Sequence, residues 1–61
     1  MRKPYNIIIN NHENNKTLID CEIWAKDEKN AIEKATNTFK YQLYRMTDGE
    51  MNYNIKATAI I

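Results

Sequence analysis

From Tyr5 to Ile9 the chain is β-branched and partly alternating, with Tyr5, Ile7 and Ile9 falling on one side and Ile8 on the other. That period of two predicts a β-strand. The next seven residues, Asn10-Asn11-His12-Glu13-Asn14-Asn15-Lys16, include no apolar side chain and are rich in asparagine, which tolerates left-handed turn geometry. They predict a hairpin loop. From Thr17 to Ala25 alternation resumes, with Ile19, Cys21, Ile23 and Ala25 on one face and Leu18, Asp20, Glu22 and Trp24 on the other. A second strand follows, antiparallel to the first because the connection is short. Asp27 then stands where a helix N-cap belongs, with Glu28 in the first turn to complement the helix dipole. Ile32, Ala35, Phe39, Leu43 and Met46 recur at spacings of three, four, four and three, which only a helix gathers on one side. The only glycine, Gly49, follows the last of them as a stop signal. From Met51 onward the pattern alternates again, with Met51, Tyr53, Ile55, Ala57, Ala59 and Ile61 on one face and Asn52, Asn54, Lys56, Thr58 and Ile60 on the other. This predicts a third strand.

The expected fold is therefore α+β: a single ββαβ domain over residues 1–61, with a three-stranded antiparallel sheet and one long helix on one face. Strand-helix-strand crossovers are right-handed in nearly all proteins, and the free slot one strand over lies beside the first strand. The predicted order is 2-1-3. The helix stripe then meets Tyr5, Ile7, Ile9, Ile19, Cys21, Ile23, Tyr53, Ile55, Ala57 and Ala59, with Ala35, Ala57 and Ala59 letting it sit close to the third strand. The uncovered face carries Ile8, Leu18, Trp24 and Ile60 among Asn6, Asp20, Glu22, Asn52, Asn54, Lys56 and Thr58.

Size makes that half-apolar face matter. A chain of 61 residues buries only about 60% of its unfolded surface, so a second copy or a partner would add to a small core. Nine Lys and Arg against eight Asp and Glu give a formal charge of +1, without the basic excess on which nucleic-acid binding relies. The lone cysteine, Cys21, has no partner for an intrachain disulfide, and no Cys/His cluster for zinc exists. After the basic start, the apolar run Ile7-Ile8-Ile9 is too short for a signal peptide or a membrane span. The expected setting is the cytoplasm, with no metal and no cofactor.

Recognisable catalytic chemistry is missing. One glycine builds no phosphate-cradling loop. Cys21 is expected inside the sheet as a small buried hydrophobe, away from His12 in the loop. Asp20 and Glu22 share an open strand face without a pocket to raise either pKa, and a helix on a small sheet leaves little room for a concave site of several hundred Å³. An enzyme is not expected.

Trp24 points elsewhere. With Leu18, Ile8 and Ile60 it forms an outward apolar set of the kind that marks contact surfaces, and tryptophan is enriched among binding hot spots. The alternative is that Trp24 folds over the helix N-terminus and completes the core. Tyr41 and Tyr44, near Lys40 and Arg45, mark a second surface or an ordinary helix flank, and the second and third strands are open edges able to pair with another chain. The expectation is a non-catalytic module, a homodimer or part of a hetero-complex. The alternative is a small nucleic-acid-binding regulator stacking bases on sheet aromatics. Against it, Tyr5 and Tyr53 face inward while Trp24 faces outward beside acidic Asp20 and Glu22.

The run from Trp24 to Ala35, WAKDEKNAIEKA, resembles the strand-to-helix junction of small ββαβ proteins on plasmids and phages grouped as DpnD/PcfM-like: an alternating strand ending in Ala, a short acidic cap, then Ala-Ile-x-x-Ala. Nine Ile, nine Asn and seven Lys fit an AT-rich coding sequence, common in mobile elements. In general character the chain also looks like small phage early proteins that bind and block a host enzyme, so the resemblance implies an accessory protein that occludes a host protein in the host cytoplasm.

Overall fold

A computed structural model describes residues 1–60. Its elements are β1 (Lys3–Asn11), β2 (Thr17–Ala25), α1 (Glu28–Met46) and β3 (Tyr53–Ala59). The strands form one antiparallel sheet in the order β2-β1-β3, with α1 across one face. The expected ββαβ arrangement is the observed one. Ile61, assigned by alternation to the inner face of β3, lies outside the described residues.

Asparagine chemistry closes the hairpin. Asn11 and Asn14 accept hydrogen bonds through their side-chain Oδ1 atoms from the Glu13 and Lys16 amides, at 2.8 and 2.9 Å. Asn15 takes the left-handed conformation, with φ 57°. These local bonds let β1 run to Asn11, two residues beyond the alternation. At the loop end of the sheet, Ile9 faces Ile19 but Asn10 faces Thr17. Leu18 is the extra residue of a bulge.

Asp27 caps α1 as expected, its carboxylate accepting from the Asn30 amide at 2.7 Å. The Asn30 side chain in turn accepts from the Lys26 amide at 3.3 Å. The far end closes differently from the expectation. The Gly49 amide donates to the Tyr44 carbonyl at 2.7 Å and the Asp48 amide to Arg45 at 3.4 Å, the paired bonds of a Schellman stop. Its left-handed residue is Asp48, with φ 53°. Gly49 comes one place later, at φ 81°, where a Cβ would stand 3.2 Å from the Tyr44 ring.

The core consists of Tyr5, Ile7, Ile9, Ile19, Ala25, Ala31, Ala35, Leu43 and Ala57, flanked by half-buried Leu18, Cys21, Ile23, Ile32, Phe39, Met51, Tyr53 and Ile55. Two expected members sit differently. Met46 is 44% exposed, because the buried line runs Ala31, Ala35, Phe39, Leu43 and Thr47, four residues apart, and swings Met46 outward by the last turn. Ala59 is exposed at the far end of β3. Close approach of helix to sheet occurs at Ala25, Ala31 and Ala35, all fully buried beside the β2–α1 junction. Met51 precedes β3 with φ 57°, so it belongs to the turn.

Candidate functional site

Register places every side chain on the bare face of the sheet, because residues directly opposite in an antiparallel pair share a face. Four rows cross it. Trp24 and Ile60 flank Pro4, with the Ile60 amide donating to the Pro4 carbonyl at 3.1 Å. Glu22 and Thr58 flank Asn6; Asp20 and Lys56 flank Ile8; Thr17 and Asn54 flank Asn10. Beyond them the loop adds a polar margin. There Asn54 Nδ2 donates to His12 Nδ1 at 3.2 Å and Asn52 Nδ2 to Glu13 Oε1 at 3.0 Å.

The four apolar residues expected to form one patch are thus divided. Trp24 and Ile60 share a row and are 55% and 51% exposed. Pro4 between them is buried even though it faces away from the helix, the effect of two large neighbours on a small ring. Ile8 stands alone, about 13 Å along the strand from Pro4, between an aspartate and a lysine. Leu18 leaves the patch: the bulge sets it among the residues packed on the core. Trp24 does not complete the core. Its backbone carbonyl accepts from Lys34 Nζ at 3.0 Å, which ties the end of β2 to the helix while the indole stays on the outer face.

Tyr41 and Tyr44 occupy the opposite layer. Exposed at 75% and 57%, they line an open groove of about 640 Å³ with Asn37, Thr38, Lys40 and Met51. A groove of this size is not what one helix on a small sheet leads one to expect. It arises because the left-handed turn at Asp48–Gly49 brings the chain back against Tyr44 and sets Met51 as a wall. Met51 was the residue missed, and its local signal was hidden by the alternation that assigned it to the strand. The groove is lined by one amine, two phenols, an amide, a hydroxyl and a thioether. It contains no carboxylate or imidazole to move a proton between. A smaller concavity of about 230 Å³ lies around the helix start, lined by Lys26, Asp27, Lys29, Asn30 and Glu33.

Cys21 sits on the inner face opposite Ile7, half-buried and packed on the core. Burial, and after it the Asp20 carboxylate next along the strand, pushes its thiol pKa up. A thiol with a raised pKa is a weak nucleophile at neutral pH. The folded state holds this proton to higher pH than the unfolded chain does. The associated stability is therefore complete below the ordinary thiol range and is lost as pH rises through the folded value. Urea stability is expected to fall over that alkaline interval by a component that Cys21→Ala removes. Identical pH profiles for the two proteins would contradict it.

Among the described residues no group of three or more His, Cys, Asp or Glu side chains is placed to hold a metal ion, and no helix is long and apolar enough to cross a membrane. Tyr5 is buried and Tyr53 half-buried on the inner face, so the sheet aromatics do not form one stacking platform with Trp24. No family model matches the chain, and neither curated proteins nor solved structures provide a match.

Proposed function

We propose that this chain is a non-catalytic protein-interaction module, with the Trp24–Pro4–Ile60 end of its bare sheet face as the docking surface. The supporting observation is the placement of Trp24. The largest side chain in the protein stands more than half exposed on a strand, in the same row as a second half-exposed hydrophobe across Pro4. Leaving that area in water is costly unless it is covered in use.

The mode of action that fits is occlusion. The module would bind a host protein in the manner of phage and mobile-element accessory proteins, the setting that the Trp24–Ala35 junction also suggests. The groove chemistry supports a role without catalysis, since its lining offers one amine and no acid–base pair.

Trp24→Ala tests the surface. The exposed position predicts unchanged helical circular dichroism. A hot-spot contact predicts binding to itself or to a partner weakened by about 30-fold or more, the equivalent of roughly 2 kcal/mol. Self-association is read by light scattering and partner capture by pull-down from host lysate. Unchanged behaviour on both counts removes the surface. Salt-dependent quenching of Trp24 by oligonucleotides would favour the nucleic-acid alternative instead.

A further inference from the structure

Resting on that reading, we infer that one occupant of the bare sheet face is a second copy of the same chain, packed face to face about a two-fold axis parallel to β1. The pattern of charge across the face carries the inference. In the row through Ile8, Asp20 lies on β2 at one side and Lys56 on β3 at the other, with Ile8 midway. The backbones that carry the two charges stand two strand spacings apart, about 9.6 Å, with the Ile8 side chain between them.

A two-fold axis along β1 in the plane between two such sheets lays β2 of each copy over β3 of the other. Asp20 then meets Lys56 of the second copy, and Lys56 meets its Asp20, with the two Ile8 side chains at the axis. Trp24 comes to the same end as Ile60 of the second copy, apolar toward apolar. Glu22 is set toward neutral Thr58. The same surface is thereby its own complement, as an isologous interface requires, and the strands of the two sheets stay within the roughly 30° of aligned sheet packing. The other in-plane two-fold, perpendicular to the strands through the same row, places Asp20 on Asp20 and Lys56 on Lys56. Charge therefore selects one axis and rejects the other.

Three strands about 4.8 Å apart and seven residues long present roughly 340 Å² of flat face. That is small beside the about 800 Å² per partner of a standard interface. Association is accordingly weak and concentration-dependent.

Charge reversal gives a decisive test. In Asp20→Lys both contacts become lysine on lysine, and in Lys56→Asp both become aspartate on aspartate. An equimolar mixture of the two restores both pairs in a heterodimer. Sedimentation equilibrium of the intact chain at rising concentration is expected to show wild type growing from 7.3 kDa toward twice that mass. Each variant alone should stay at the lower mass, and the mixture should regain the higher. Asp20 and Lys56 are exposed, so both variants are expected to keep wild-type circular dichroism. As a second measurement that needs no charge change, Ile8→Cys in a Cys21→Ser background is expected to cross-link to itself as a disulfide under mild oxidation, because the two thiols face each other across sheets about 10 Å apart.

A mixture no heavier than its components, or variants that associate as wild type does, overturns the proposal. So does absence of the Ile8→Cys cross-link. Wild type fixed at 7.3 kDa while Trp24→Ala still loses a foreign partner overturns the paired assembly alone. The docking reading fails separately, by Trp24→Ala binding unchanged.

Discussion

Replacing Leu43 with alanine is expected to lower the thermal midpoint by at least about 10 °C and to leave a large unfolded fraction at 37 °C. Leu43 is fully buried and is the largest helix side chain in the core. Leu→Ala at such sites costs about 2.7–5.0 kcal/mol, the spread reflecting how far the cavity collapses. At roughly 0.05–0.15 kcal/mol per residue, a domain of this size holds only about 3–9 kcal/mol in total. Collapse is also hard here: the β-branched Ile7 and Ile9 that complete the centre of the core are fully buried on a paired central strand. Leu43→Met conserves volume and should cost less than about 1.5 kcal/mol. A melt that separates the two variants by under about 3 °C would mean that the helix is not seated as described.

Thr47→Val is the second large effect, and an isosteric one. The Thr47 hydroxyl is buried, 5% exposed, and makes two bonds. It donates to the Leu43 carbonyl at 2.8 Å and accepts from the Met51 amide at 2.9 Å. Valine fills the space but leaves the Met51 N–H unpaired in a partly buried site, at a cost of about 1–3 kcal/mol. The damage should be local as well as global. Met51 holds a left-handed backbone at the wall of the Tyr41–Tyr44 groove, and that hydroxyl is the tie between it and the helix end. Amide hydrogen exchange at Met51 is expected to accelerate more than at Ile7 or Leu43. Uniform acceleration across the chain would assign the loss to the helix cap instead.

Thr47 also marks where the sequence ceased to be readable. Alternation located β2 from Thr17 to Ala25 to the residue, and capping chemistry located Asp27, because both are short-range rules acting on adjacent side chains. Met46 looked like the last core residue because hydropathy ranks it above threonine. Ranking by water preference takes no account of a hydroxyl that satisfies a helix carbonyl on one side and a turn amide on the other. Leu18 was misplaced for a related reason. A bulge depends on how two strands register, which is a property of the pair, and nothing within TLIDC shows that the register slips just past the Ile9–Ile19 pair. The same limit applied to the bare face. Trp24, Ile8 and Ile60 were assigned to it by alternation within each strand, yet their neighbours depend on register. Only pairing shows that Trp24 and Ile60 share a row and that Ile8 lies between opposite charges.

The strand order 2-1-3 has a kinetic consequence. β1 meets β2 across a tight loop, whereas β3 must return to β1 after more than forty intervening residues. Closing that long loop costs entropy that the hairpin does not incur, so β3 is expected to dock last and to leave first. Its departure would uncover the inner edge of β1 and the apolar side of Ile55 and Ala57 together, a transient template onto which a stray strand can add. A longer-lived opened form is expected to lower the concentration at which the protein aggregates.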